Sequence, residues 1–417
     1  MQNPTPDNSL NHWCQILSQH WGINAELNRL PGERDLNFIA GGDRPCVLKV
    51  MHLGCAESLV DLQCKAKAHI NVRSPETPIP SVIRSSKGAD YCHVADEAGD
   101  TRIAWLIEAF PGETYASLSS HSPNLIHQIG ACIGAIDLAL QDFEHSTLER
   151  EYKWDLTQGE WIESQLNCLA SPARVALIER IIDGFRAVKP LLNSLARVPI
   201  HNDVNNHNIL VRGSLKTGPR LSGIIDFGDC CMSPRVCELA IAGAYIVLGS
   251  ERPYSALSEL IAGYHSVSPL SCDELELIWP LLKMRLAVSV VNSSLMAQEN
   301  PDDPYVVISQ QPAWEFLESK LVDEALIAPR LRNACGLPIS DSAPRIAAWF
   351  DTERGNFANV IGVGLESVAT HSLSVAASTC PQNPFNLTRS EAKTMGAGQF
   401  AADDVFLGHY QEPRLVY

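Results

Sequence analysis

Up to about residue 110 the apolar residues of this chain recur at every second position, and beyond "PGETYA" they recur at every three to four. Few folds accommodate that change within one chain, because alternation of two builds a half-buried sheet and a period near 3.6 builds packed helices. A helix is predicted over "LNHWCQILSQHW", capped by Ser9. The runs "AELNRL", "NFIA" and "PCVLKV", separated by turn residues such as "GGDR", then read as an antiparallel meander. A helix over "SLVDLQCKAKAHI" and further strands at "YCHVAD" and "RIAWLIEAF" complete a sheet with a helix against it. Thereafter Ile126, Ile129, Ile133, Ile136 and Leu140 form one helical stripe, and Ile178, Ile181, Ile182 and Phe185 another, so residues 121 to 196 should be mostly helical. A hairpin from "NILVRG" to "LSGIIDFG" interrupts the helices, which resume from Val236 to about Leu326. The expected class is α+β, with a small β-rich region over 1–110, a larger helical region over 111–340, and a Ser-, Thr- and Asn-rich linker leading to the start of a further domain over 341–417.

The hairpin is preceded by "VPIHNDVNNHNILV". Asn and Asp favour turns, which explains the composition of this segment but not its spacing. His201, Asp203 and Asn208 form H-x-D-x-x-x-x-N, and Asp226-Phe227-Gly228 follows the apolar run "GII". This is the form of a kinase catalytic loop and metal turn. Its chance co-occurrence is roughly 10⁻⁴ from average residue frequencies. Phosphoryl transfer asks little covalent work of a protein and much positioning. Asp203 is the candidate base toward the acceptor hydroxyl. Asn208 and Asp226 offer an amide and a carboxylate oxygen to Mg²⁺, a hard cation.

ATP phosphates also need a cation. Lys49 in "PCVLKV" shares a strand face with Val47, opposite Leu48 and Val50. An inward lysine among apolar neighbours calls for an anionic partner.

Bulk properties bound the partners. The net charge of −16 opposes nucleic-acid binding, which needs concentrated basic surface, and suits a cationic small substrate. The longest apolar helical stretch, Val236 to Leu248, is too short for a bilayer and contains Glu238, so no membrane association is expected. The start "MQNPTPDNSLNHW" has neither a basic region nor an apolar run, and the 13 cysteines follow no regular spacing. Reduced thiols and a cytoplasmic location are the expectation. Cys230, Cys231 and Cys237 contain no C-x-x-C pair and are expected in the core rather than on zinc.

Together, "LPGERDLNF", "VLKV", "WLIEAFPGE", "HNDVNNHNIL" and "IIDFGD" resemble the aminoglycoside phosphotransferase and choline kinase superfamily, over roughly residues 10 to 330. Within it they look most like hydroxylysine kinases and the phosphotransferase domains fused to class III aminotransferase-like enzymes. The resemblance implies a bilobal protein-kinase-like fold, with H-x-D in place of H-R-D and no A-P-E segment. It implies that Asp203 is the base, that Asn208 and Asp226 hold Mg²⁺, and that Lys49 meets the phosphates of ATP. His201 would brace the loop. Backbone groups of Ile107, Glu108 and Ala109 would meet adenine, and the loop around Gly32 would cover the nucleotide. The acidic partner of Lys49 would come from the following helix, which offers Asp61 and Gln63 and no Glu there. Asn202 stands where the family usually has Gly, and Asn is among the least costly residues at positive φ.

The expected reaction is ATP-dependent phosphorylation of a small hydroxylated amine or amino acid. The other readings are an aminoglycoside phosphotransferase and a non-catalytic nucleotide-binding regulatory domain. A pyridoxal-phosphate-dependent phospho-lyase, fused or separate, would be the implied partner. Asp229 is placed to assist the metal or to cap the following helix. Glu238 is placed to meet an acceptor amine or a structural arginine.

Overall fold

In the computed structural model, residues 8–32, 34–213, 218–299, 310–319 and 324–339 are described. The expected linker over 341–417 lies outside them. The chain divides into two compact units.

Among the described residues, the first unit comprises those up to Leu125, Cys132–Asp155 and Ala196–Glu238. It opens with helix α1 (Asn8–Trp21), within which Ser9 falls rather than ahead of it. Strands β1 (Leu27–Leu30), β2 (Leu36–Ala40) and β3 (Cys46–Val50) form the expected antiparallel meander, followed by helix α2 (Glu57–Arg73). Two-residue β4 (Val82–Ile83), β5 (Tyr91–Ala95) and β6 (Thr101–Glu108) complete a six-stranded sheet in which β6 pairs with β3, β4 and β5. Alternation sorts the two faces. Leu48 and Val50 join Trp13, Leu17 and Phe38 in the core beneath α1, whereas Val47 packs with Val60, Trp105 and Ile107 on the α2 side. Lys49 shares the Val47 face and is 8% exposed.

The same unit holds three further strand pairings. Strand β7 (Glu113–Thr114) pairs with β9 (Ile209–Arg212), which pairs with β10 (Arg220–Ile224) as the expected hairpin. Strands β8 (Arg197–Ile200) and β11 (Cys231–Pro234) form a separate antiparallel pair that the sequence reading did not anticipate. These pairs carry the segments 201–208 and 225–230 between them, which brings the two polar motifs together.

Among the described residues, the second unit comprises Ile126–Ala131, Leu156–Leu195 and those from Leu239 onward. Helix α3 (Pro123–Leu140), of which Ile126–Ala131 belongs to this unit, begins with Ser122 accepting from the Leu125 N–H and with proline in its first turn, a favourable start. Residues Leu156–Cys168, expected as α-helix, form 3-10 turns instead. Helices α4 (Pro172–Ser194), α5 (Val236–Val247), α6 (Pro253–Val267), α7 (Cys272–Glu299), α8 (Gln310–Glu318) and α9 (Ile327–Ala334) follow. Gly130 and Gly263 permit the contact between α3 and α6: a Cβ at Gly130 would sit 2.0 Å from the Leu260 carbonyl oxygen, and one at Gly263 2.1 Å from that of His127. Among the described residues no helix is long and apolar enough to cross a membrane.

Candidate active site

All the proposed catalytic side chains fall within the first unit. The loop after β8 is organised by its own polar residues. The Asn208 Nδ2 donates to both the Asp203 carbonyl (2.9 Å) and its Oδ2 (2.8 Å), and the Asn205 Nδ2 donates to the same carboxylate oxygen at 3.0 Å. The Ile225 N–H donates to the Asn208 carbonyl at 2.9 Å, tying this loop to the metal turn.

His201 is fully buried and makes a second tie. The Asp203 N–H donates to its Nδ1 at 3.2 Å, so the ring proton is on Nε2, which donates to the Ile225 carbonyl at 3.0 Å. Burial is the main reason its pKa falls to about 4, and the charge of Lys67 adds to the shift. The imidazole is therefore neutral and ties the Asp203 N–H to the Ile225 carbonyl through its two ring nitrogens.

Among the described residues, Asn202 and Asp226 are the two non-glycine residues at positive φ, at 66° and 65°. The expectation for Asn202 is thus met. Its N–H donates to the Glu238 Oε2 at 2.7 Å. Glu238, fully buried, thus accepts from the backbone of the loop that follows β8.

Asp226 opens a short 3-10 turn over Phe227–Asp229. Its Oδ2 lies 3.3 Å from the Lys49 Nζ, and its side chain is 47% exposed. Lys49, with some opposing effect of desolvation and further help from Lys67, holds the carboxyl down at about 2. This carboxylate stays ionised at any working pH and can offer a lone pair to a hard cation.

The pairing corrects the expectation that α2 supplies the partner of Lys49. Asp61 is engaged by Lys65, one helical turn on, at 2.7 Å and by His145 at 3.0 Å. Gln63 is buried, and its amide is 4.0 Å from where a Cβ on Gly228 would be. Neither reaches Lys49. Their place on α2 is decided by local neighbours: a lysine at i+4 captures Asp61, and the apolar side of the helix takes Gln63 under the turn.

The backbone of 107–109 is more committed than expected. The Glu108 N–H donates to the Ser81 carbonyl and the Ala109 N–H to the Pro45 carbonyl, each at 3.0 Å. Adenine contacts from those two donors would have to displace sheet hydrogen bonds. Gly32 lies in the connection between β1 and β2, where a Cβ would meet Asn37 Nδ2 and the Asp35 carbonyl oxygen at 2.6 Å. Only glycine fits that turn without displacing its neighbours.

Three residues that the sequence reading passed over also meet the metal turn. The Arg150 Nη2 donates to the Gly228 carbonyl at 2.9 Å, and its guanidinium lies over the Tyr152 ring. The Tyr152 hydroxyl donates to Asp229, which explains that aspartate better than helix capping does; desolvation and the charge of Asp229 drive the phenol pKa far up. The segment "REYKW" has no periodicity that would have exposed this role. Lys67 is 1% exposed, with its Nζ 3.9 Å over the Phe227 ring. A signal for it existed, since Val60, Gln63, Lys67 and Ile70 lie on one helical stripe, an unusual place for a lysine.

Cys230, Cys231 and Cys237 are buried free thiols, as expected of core residues. Among the described residues no cluster of three or more His, Cys, Asp or Glu side chains could hold a metal by itself. The donor set fits Mg²⁺ nonetheless, because that ion usually takes one or two protein oxygens and completes its shell with phosphate and water.

Comparison with known proteins agrees with this geometry. The family model described as "Phosphotransferase enzyme family" matches residues 29–275. The chain belongs to that family. Among curated relatives of this phosphotransferase, the hydroxylysine kinase of Mus musculus is 26% identical over 317 residues, spanning 70% of this chain and 84% of that protein. The hydroxylysine kinase of Danio rerio is 26% identical over 329 residues, spanning 75% and 91%. A microcompartment-associated aminopropanol kinase shares the fold with TM-score 0.59 at 18% identity, covering 79% of this chain and 100% of its own. A choline/ethanolamine kinase family protein from Mesorhizobium loti gives 0.54 at 14%, covering 78% and 99%. The α+β, protein-kinase-like class expected from the sequence is therefore the observed one, and the phosphotransferase is a small-molecule kinase with a hydroxyl acceptor.

Proposed function

We propose that this phosphotransferase moves the γ-phosphate of ATP to the hydroxyl of a small amine or amino acid, of the hydroxylysine or amino-alcohol type. The observation that carries the reading is the joining of Asp203, Asn208 and Asp226 through the Asn208 side chain and the Ile225 N–H. One carboxylate is held for a hydroxyl proton, and an amide and a second carboxylate are held alongside as oxygen ligands. Mg²⁺, bound by Asn208 and Asp226, would neutralise charge on the phosphates.

The roles of the chain's own groups follow from their chemistry. Asp203 orients the acceptor hydroxyl and takes its proton as the P–O bond forms. Lys49 has a half-exposed partner in Asp226 and can exchange that contact for a phosphate oxygen. The neutral His201 ring keeps the Asp203 and Ile225 backbones at fixed separation. The relatives named hydroxylysine kinase favour an amino-acid acceptor, and the net charge of −16 favours a cationic one. A pyridoxal-phosphate-dependent phospho-lyase that eliminates the phosphate from such a product is the partner activity that fits this chemistry.

ADP formation with Mg²⁺ across hydroxylysine, amino alcohols, other hydroxy amino acids and aminoglycosides, with Asp203→Asn as control, tests the proposal. Turnover of one small acceptor, abolished in the variant, supports it. Turnover of aminoglycosides alone, or nucleotide binding with no turnover of any acceptor, overturns it.

A further inference from the structure

Lys67 is a cost that the fold does not need for packing. Its side chain is 1% exposed, and its Nζ makes no hydrogen bond among the described residues. An ammonium taken out of water without a hydrogen-bonding partner is among the more expensive things a core can hold. A methionine would fill the same stripe of α2 at no such cost. Burial, with the charge of Lys49, pulls the Lys67 pKa down to about 7, and what holds the proton on against that is the negative charge of Asp226 and the face of Phe227, 3.9 Å away. Phe227 in turn lies edge-on to His201 with ring centroids 4.4 Å apart. Lys67, Phe227 and His201 form a column of contacts from α2 through the metal turn to the catalytic loop.

The arrangement also answers what α2 does in place of pairing with Lys49. Asp61 faces Lys65 and His145, and α2 presents Lys67 to the turn instead. Two lysines, on β3 and α2, thus act on one aspartate that sits at φ 65°, a conformation costly for a residue with a Cβ. Lys49 must leave Asp226 to meet a phosphate; Lys67 is too deeply buried to follow.

We propose that Lys67 is a positioning residue for phosphoryl transfer: from beneath Phe227 its ammonium holds the Asp226 turn in its metal-binding conformation when Lys49 moves to the nucleotide. This rests on the phosphotransfer reading above. Lys67→Met and Lys67→Gln, both uncharged and of similar length, test it in the full chain, with three readouts. Expected are a thermal midpoint for Lys67→Met equal to or above that of the parent, because a buried charge has been removed, and a kcat at least about tenfold lower. ATP affinity by calorimetry without metal stays within about twofold, while the factor by which Mg²⁺ tightens ATP shrinks by a similar tenfold. A merely structural lysine would not separate these quantities.

The proposal is overturned if either folded variant keeps the parental kcat and Mg²⁺ factor. It is equally overturned if metal-free ATP affinity, kcat and midpoint all fall together, or if neither variant folds, since Lys67 would then be a packing residue. Should the parent bind ATP with Mg²⁺ yet phosphorylate nothing, the acceptor reading fails by itself, and the Mg²⁺ factor in the two variants alone decides for or against Lys67.

Discussion

Asn208 holds Asp203 by both ends, its Nδ2 donating to the carbonyl and to the carboxylate of the residue five positions earlier. The proposed base and the proposed metal ligand are therefore one mechanical unit, and their substitutions should not add. Asp203→Asn is expected to lower kcat by about 10²–10⁴, the usual share of a general base. Asn208→Ala removes a proposed ligand oxygen and one of the donors to the Asp203 carboxylate. The double variant should be little worse than the more damaging single one, as for groups that act together. Steady-state ADP formation at saturating ATP checks this, and fully additive losses would show that the two act apart.

His201 gives a pH prediction with a definite sign. Its pKa is about 4 in the folded chain, against roughly 6.5 when unfolded. Between those values the unfolded state holds the extra proton, so stability falls as pH drops from about 6.5 to 4, by at most about 1.4 kcal/mol per pH unit. Protonation would also leave Nδ1 unable to accept from the Asp203 N–H. In His201→Gln this part of the slope should vanish, as read from urea midpoints across that range.

Lys49 and Asp226 act in the same direction at lower pH. The aspartate is depressed to about 2, chiefly by Lys49, so the stabilisation by this pair is complete above about pH 4 and lost as pH falls toward 2. In Lys49→Met the Asp226 carboxyl should titrate at higher pH, observable by ¹³C-carboxyl NMR. An unmoved titration would mean that Lys67 alone sets it. Because the side chain is 47% exposed, added salt should shrink the difference.

What the sequence revealed and what it hid divide along physical lines. That His201, Asp203, Asn208 and Asp226 would come together was legible because a kinase-like motif puts particular side-chain chemistry at short, fixed spacing. Lys49 was legible from strand alternation, but its partner was not, since Asp226 is 177 positions away and the nearer Asp61 is taken by Lys65 and His145. The commitment of the Glu108 and Ala109 N–H groups to Ser81 and Pro45 is a main-chain matter on which side-chain identity is silent. The 3-10 turns of Leu156–Cys168 carry helical composition without enough of one apolar face to hold an α-helix. Lys67 was visible as a lysine in an apolar stripe, and its meaning appeared only with Phe227 above it.

Asn202 offers the sharpest test of backbone reasoning. At φ 66° it pays part of the left-handed cost that glycine avoids, and its buried Oδ1 has no hydrogen-bond partner among the described residues. Its side chain returns one long bond, Nδ2 to the Trp154 carbonyl at 3.4 Å. Its N–H, donating to Glu238 at 2.7 Å, needs no side chain at all. Asn202→Gly should therefore leave kcat within about twofold and stability within about 1 kcal/mol. Asn202→Ala keeps the strain without the bond and should cost about 1–2 kcal/mol. Glu238→Ala leaves the same N–H buried and unpaired, which costs about 1–3 kcal/mol and should lower kcat as the loop shifts. Urea denaturation of the three variants gives the order Gly, Ala at 202, then Ala at 238, from mildest to most severe; a Gly variant as damaged as the Glu238 one would show that the Asn202 side chain, not its backbone, is what the loop requires.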